Sequence, residues 1–240
     1  MVSKNEIKLI TSLTHKKYRY KHLLFVAEGK KLVSELLNSK YEVYKIYTTE
    51  NQEIKVNKDQ IKLISEKEMQ KLTKLSSAST VLGLFKIPDF NGIISDGIQL
   101  VLDEIKDPGN LGTIIRLCDW FGVSQLVCSP DTVDCYNPKV VQGTMGSLAN
   151  VNVAYLDLKT YLTDNELPKY FTLLKGNNIY QEALSKDAII VMGNEANGIK
   201  ESLHDLADYN ITIPKMGKNT KAESLNVAMA TAIVLSEFKR

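Results

Sequence analysis

Residues 98–122 read IQLVLDEIKDPGNLGTIIRLCDWFG. An apolar run leads into a short loop with Pro108, Gly109 and Gly112, and Asn110 stands between the two glycines. A helix-like stretch carrying one arginine, Arg116, then runs to Phe121. Strand, glycine-bearing turn and helix in succession are the repeating unit of a parallel α/β sheet. Such a turn suggests a ligand site, since glycine lets a ligand approach the backbone closely. The dinucleotide fingerprint G-x-G-x-x-G and the phosphate loop G-x-x-x-x-G-K-[ST] are both absent, which argues against an oxidoreductase or a nucleotide hydrolase. Asn110 can cap the helix that begins here or serve a ligand. Arg116, nearly two turns along, either snorkels to solvent or points into a cleft.

The same rhythm continues outward. Candidate strands lie at 98–103, 125–128, 151–155, 171–175, 188–192 and 210–213, and candidate helices at 111–121, 138–146, 158–163, 199–207 and 224–238. Near-continuous apolar runs such as AIIVMG (188–193) fit strands covered on both faces. Before residue 98 the pattern is smaller and mixed. Residues 28–39 form a helix with Glu28 in its first turn, 41–49 a strand, 65–75 a helix capped by Ser65, and 81–87 a strand. The segment KIPDFNGIISDG (86–97) gathers Pro, Gly, Asn and Asp and marks the boundary between a domain at 1–92 and one at 98–240.

Charge follows that division. Residues 1–90 carry 17 Lys+Arg and 10 Asp+Glu, a balance of +7, whereas residues 91–240 carry 13 and 18, a balance of −5. A basic front section on a chain of net charge +2 suggests that one part meets a polyanion; the plainer alternative is a lysine-rich solvated surface. The three cysteines (Cys118, Cys128, Cys135) and three histidines (His15, His22, His204) have no metal-ligand spacing, so neither a metal site nor a disulfide framework is expected. There is no apolar run of about 18 residues and no signal-peptide pattern, so no membrane span is expected and the cytoplasm is.

Two further segments carry polar residues at strand ends. In AIIVMGNEANGIK (188–200) an apolar strand ends at Gly193, and Glu195 follows where open α/β sheets bind ligands. Glu195 either orients a ligand hydroxyl or caps the next helix, and Gly198 serves a positive φ or close packing. In ITIPKMGKNTKAESLNVAMATAIVLSEF (211–238) a strand ends at Pro214 and a loop with three lysines follows. Ser224 is a good cap for the last helix, and Asn226, in its first turn, either caps locally or contacts ligand.

These ordered motifs resemble those of the SpoU (TrmH-type) branch of the SPOUT RNA methyltransferases. DPGNLGTIIRLCDWFGV (107–123) is similar to the first family motif, VMGNEANGI (191–199) to the second, and IPKMG with ESLNVAMATAIVLSEF (213–217 and 223–238) to the third. The segment 15–37, HKKYRYKHLLFVAEGKKLVSELL, resembles the small ribosomal-protein-like α/β RNA-binding domain that many members carry. The resemblance implies a C-terminal parallel-sheet domain threaded into a trefoil knot, a homodimer, and methyl transfer from S-adenosylmethionine to an RNA ribose 2′-hydroxyl. Ribosomal RNA is favoured over transfer RNA, and a non-enzymatic RNA-binding relative is the alternative.

Carried over residue by residue, the resemblance implies cofactor contacts at Met192, Gly193, Gly198, Ile213, Pro214, Met216 and Leu225. Arg116 would be the central catalytic residue, with Asn110, Glu195, Ser224 and Asn226 around it. The loop KMGKNTKAE (215–223) is longer than the family pattern. A guanidinium stays charged and is an awkward base, so Arg116 is expected to bind substrate phosphate and to stabilise the developing alkoxide. Lys16, Lys17, Arg19 and Lys21, with Tyr18 and Tyr20 interleaved, are expected phosphate contacts along with Arg116.

Overall fold

The computed structural model describes the chain apart from residues 52, 53, 55, 90, 91 and 218–220. Phe90 and Asn91 of the expected boundary, and Lys218, Asn219 and Thr220 of the lysine-bearing loop, therefore lie outside the described residues. The front elements are α1 (Lys4–Ser12), α2 (Lys16–His22), β1 (Leu24–Glu28), α3 (Lys30–Leu37), β2 (Val43–Thr48), β3 (Ile61–Leu63), α4 (Glu66–Leu72) and β4 (Val81–Lys86). Then follow β5 (Ile98–Leu102), α5 (Pro108–Phe121), β6 (Gln125–Cys128), α6 (Pro138–Thr144), β7 (Asn152–Tyr155) and α7 (Leu158–Thr163). The chain ends with β8 (Lys169–Asn178), β9 (Ala188–Met192), β10 (Tyr209–Thr212) and α8 (Val227–Phe238).

Two compact units result: residues 1–91 with 134–149, and residues 92–133 with 150–240. The strand–helix rhythm assigns 134–149 to the rear part, but this segment packs with the front residues. Two aromatic contacts and an ion pair explain why. Tyr136 lies 4.9 Å from Phe25 and 6.3 Å from Tyr41, ring centre to ring centre, and Asp134 binds Arg19.

In the first unit the sheet order is β1-β4-β2-β3. β1 and β2 run antiparallel to β4, and β2 runs parallel to β3. β1 is buried at all five positions. Leu24 and Val26 join a core with Ile10, Leu13, Met69 and Leu72, whereas Phe25 packs against Phe85 and Tyr41. Ser65 caps α4 as expected, with Glu68 completing a capping box. Glu28 ends β1 rather than opening α3. It is buried, and its carboxylate accepts from the Thr73 hydroxyl and from Lys74 N at 3.2 Å.

The second unit holds a six-stranded sheet in the order β10-β8-β9-β5-β6-β7, with every pair parallel. β5 to β7 wind in one direction and β8 to β10 fill the other side, so the strand order reverses between β5 and β9. Open α/β sheets bind ligands outside the carboxyl ends of the strands at such a switch point. β5, β6 and β9 are buried at every position, as a sheet covered on both faces requires.

α5 buries Leu111, Ile114, Ile115 and Cys118, a helical stripe. It begins earlier than its apolar pattern suggests. Asp107, not Asn110, is its cap and accepts from Asn110 N at 2.8 Å, with Pro108 in the first turn. The last helix also differs from expectation. It begins at Val227, and Asn226, not Ser224, caps it. The expected helix at 199–207 is a tighter 3-10 turn at Glu201–Leu206.

Candidate active site at the carboxyl ends of β5, β9 and β10

Asn110 follows β5, Glu195 follows β9, and Asn226 follows β10 and opens α8. The fold brings the three side chains into one hydrogen-bonded chain. Asn226 Oδ1 accepts from Ala228 N and Met229 N at 3.0 and 3.3 Å, closing the amino end of α8. Its Nδ2 donates to Asn110 Oδ1 at 2.9 Å. Asn110 Nδ2 in turn donates to Glu195 Oε1.

The direction of this chain is forced. The helix amides accept nothing, so Asn226 must present its oxygen to them and its NH2 to Asn110. That leaves Asn110 only donors toward Glu195, and a carboxylate is the acceptor they require. Helix capping and the link to Asn110 thus fall on the same residue, Asn226.

The loop bearing Glu195 is a closed turn. Asn194 and Gly198 exchange backbone hydrogen bonds at 2.9 and 2.8 Å, and Asn194 Oδ1 accepts from Ala196 N and Asn197 N. Gly198 sits at φ +69°. At Gly193 a Cβ would collide with the backbone of Gly198 and Ile199, so only glycine lets the strand end lie against the returning chain.

Beside this turn lies a cavity of about 810 Å³. All seven residues expected to hold a cofactor line it: Met192, Gly193, Gly198, Ile213, Pro214, Met216 and Leu225. Glu195 and Ser224 line it too. Its volume falls within the roughly 300–1,000 Å³ of small-molecule sites. Thr172, Leu173, Leu174 and Lys175 form a further wall, where the β8–β10 register slips between Asn210 and Ile211.

Asn110, Asn226 and Arg116 are not in the cavity wall. Arg116 is exposed and makes no hydrogen bond or ion pair among the described residues. It shares a face of α5 with Thr113 and Trp120, and Trp120 is 84% exposed. α5 packs against α8, where Met229 is 57% exposed.

Sequence reasoning missed Asp107 and Asn194. Both had local signals: an Asp directly before a helix-starting proline, and an Asn opening a glycine-closed turn. It also missed the group beneath the loops. Asp103 Oδ2 accepts from Lys200 N at 2.8 Å, and Lys200 Nζ lies 2.8 Å from Glu104 Oε1 and 3.3 Å from Asp131 Oδ2. Burial pushes the Asp103 carboxyl above its usual range, and Lys200 only partly offsets this. The hydrogen bond from Lys200 lowers Glu104.

In the first unit, α2 presents Lys16, Lys17, Lys21 and Tyr18 outward. Lys16 Nζ lies 5.9 Å from the Tyr20 ring centre. Arg19 does not join them and, contrary to expectation, is no phosphate contact. It is 1% exposed. Its Nε and Nη2 bind Asp134 Oδ2 at 2.8 and 2.5 Å, and Nη1 donates to the carbonyls of Leu13 and Thr14. Tyr20 also donates to Asp134, at 3.3 Å. Of the four expected contacts on this helix, Arg19 is the one whose side chain turns inward.

Among the described residues no helix is long and apolar enough to cross a membrane, and no cluster of His, Cys, Asp and Glu could hold a metal. The three cysteines are buried and form no disulfide among the described residues.

Comparison with known proteins gives concordant matches. Residues 97–236 match the model of the SpoU rRNA methylase family, and residues 4–83 match that of an MRM3-like substrate binding domain. The chain is 30% identical over 231 residues to the 23S rRNA (guanosine(2553)-2′-O)-methyltransferase of Bacillus subtilis, covering 93% of this chain and 92% of that protein. A solved structure described as an RNA methyltransferase of the TrmH family from Porphyromonas gingivalis superimposes with a TM-score of 0.91 at 33% identity, covering 99% and 98% of the two chains. The AdoMet-bound rRNA methyltransferase of Sinorhizobium meliloti does so with a TM-score of 0.86 at 27% identity, covering 100% and 96%.

Proposed function

Because the chain belongs to the SpoU rRNA methylase family, we propose that it is an S-adenosylmethionine-dependent methyltransferase acting on a ribose 2′-hydroxyl of ribosomal RNA. One observation carries the reading: the 810 Å³ cavity opens beside a directed chain of Asn226, Asn110 and Glu195. The cavity residues suit such a cofactor. Met192, Ile213 and Leu225 supply apolar walls, and the tight Gly193–Gly198 turn supplies backbone polar groups within reach. Bound there, S-adenosylmethionine supplies an electrophilic methyl group on a sulfonium.

The protein's part is orientation and charge. Glu195 uses one oxygen on Asn110, which holds its carboxylate in place at the cavity edge. Ser224 stands at the rim as a second hydroxyl-type contact. Arg116 binds the substrate phosphate and stabilises negative charge developing on the attacking ribose oxygen. Among the described residues it has no hydrogen-bond or ion-pair partner, which favours that role, since an unengaged guanidinium fork suits a phosphate.

RNA is met by the front domain, 1–92, through Lys16, Lys17 and Lys21, while 98–240 forms the catalytic domain with a trefoil knot. The protein works as a homodimer in the cytoplasm. Exposed Trp120 on α5 and Met229 on α8 favour a second copy on that face. The same face carries Arg116, so dimerisation would set this guanidinium between two copies. Buried, unbridged cysteines are in keeping with a reducing compartment.

Methyl transfer from labelled S-adenosylmethionine to total RNA of a strain lacking the gene tests the proposal. A labelled 2′-O-methyl nucleoside in the ribosomal fraction is the expected result. Label on a base would overturn the ribose assignment. No label, with cofactor binding intact, would favour the non-enzymatic RNA-binding alternative.

A further inference from the structure

Two loops must keep a fixed spacing for Asn110 to meet Glu195, and neither side chain sets that spacing. The loop after β5 starts at Asp103, seven residues before Asn110. The loop after β9 ends at Lys200, five residues after Glu195. We infer that Asp103 and Lys200 are positioning residues for methyl transfer, clamping the two loops so that Asn110 and Glu195 stay in register. The inference rests on the proposed methyltransferase reading.

The two feet of the Glu195 loop stand on adjacent residues, Glu104 and Asp103. At one foot Asn194 Nδ2 donates to the Glu104 carbonyl at 2.8 Å. At the other, Lys200 N donates to Asp103 Oδ2 at 2.8 Å. The Lys200 ammonium then reaches over the joint to Glu104 Oε1 at 2.8 Å and Asp131 Oδ2 at 3.3 Å. Glu104 itself sits at φ +55°, a left-handed conformation that side chains other than glycine, Asn and Asp rarely adopt. It is held there by Ser129 Oγ, which accepts from Glu104 N at 2.9 Å. In that conformation one residue presents its carbonyl to Asn194 and its carboxylate to Lys200.

Asp103 is costly where it stands. It is 1% exposed, and its Oδ1 makes no hydrogen bond among the described residues, with the Lys200 ammonium 4.0 Å away. An apolar residue would pack at a strand end with no such penalty. A buried carboxylate that the fold does not need for its core, placed under a loop that carries a site residue, points to a role in geometry. The rise of its carboxyl caused by burial fits a group carried at a cost to stability.

The experiment compares Lys200→Met, Lys200→Arg and Asp103→Asn with the wild type. Lys200 is half-exposed, so Lys200→Met folds without a core defect. Lys200→Met and Asp103→Asn are expected to lower kcat by roughly 10–100-fold, since displacement of about 1 Å can cost 10²-fold. Their affinity for S-adenosylmethionine should stay within about twofold and Asp103→Asn should not lower the melting midpoint. Lys200→Arg should restore most of kcat. In protein labelled with 15N-asparagine, Lys200→Met should move the side-chain amide signals of Asn110 and Asn226, a readout that needs no turnover. Unchanged kcat and unchanged amide signals would overturn the clamp. So would a kcat loss matched by an equal loss of cofactor affinity. A wild type that transfers no methyl group would defeat the methyltransferase reading, while the amide signals would still decide the clamp.

Discussion

Arg19→Met separates two roles that one residue cannot fill together. As a phosphate contact, Arg19 would be exposed and dispensable for folding. The structure instead buries it, with Nε and Nη2 on Asp134 and Nη1 on two backbone carbonyls. Methionine keeps much of the stem volume but leaves Asp134 as an uncompensated buried charge. Breaking such a pair costs about 3–5 kcal/mol. For a chain of this length each kcal/mol moves the melting midpoint by about 2–4 °C, so the loss should be roughly 6–20 °C. Adding Asp134→Asn should recover part of it, because the second change removes the stranded charge. The assay pairs thermal melts with RNA binding across a salt series below the melting range. Lys17→Ala, at an exposed position, should leave the midpoint unchanged and reduce the salt slope by about one. Arg19→Met should show the reverse pattern. A midpoint within about 1 °C of wild type, together with a slope reduced by one, would refute the buried-pair reasoning.

Three other perturbations test separate links. Gly193→Ala forces a methyl group into the Gly198–Ile199 backbone; it should cost about 1–3 kcal/mol and weaken S-adenosylmethionine binding at least about tenfold by calorimetry, and unchanged affinity would place the cofactor elsewhere. Asn110→Asp replaces the donor that faces Glu195 with a second carboxylate, so kcat should fall at least about tenfold, or 1.4 kcal/mol of barrier, and undiminished turnover would remove the chain from the mechanism. Partial burial raises the Glu6 carboxyl, but hydrogen bonds from Lys62, Ser3 and Tyr47 outweigh this and lower it from 4.5 to about 2. A depressed carboxyl adds stability above its unfolded pKa and loses it as pH falls through the folded value. The stability gap between wild type and Glu6→Gln, read from urea melts, should therefore shrink between pH 4.5 and 2, and a gap independent of pH would contradict the assignment.

Local chemistry made much of this protein legible. Buried parallel strands need continuous apolar runs, so β5, β6 and β9 stood out from neighbouring segments. Glycine is required at positive φ or where backbones nearly touch, which marked Gly198, whereas Gly193 stood out only as a strand end. The three polar loops follow strand ends, and a parallel sheet gathers such ends on one side. Boundaries were less legible where two residues compete for one task. Asn110 and Ser224 are both good capping types, yet Asp107 and Asn226 cap the helices, because only distant partners decide which side chain is already engaged. β1, a short strand without clear alternation, escaped notice because both of its faces are buried.

Tertiary structure alone decided what each charge does. Arg19 lies in a run of basic residues indistinguishable by composition, and its burial depends on Asp134, 115 positions away. The clamp of Asp103 with Lys200 spans 97 positions, and Asn226 reaches Asn110 across 116. Periodicity and capping preferences act over a few residues, within one turn or one strand. The partners of a buried charge are chosen by the packing of whole elements, so they appear only once the chain is folded.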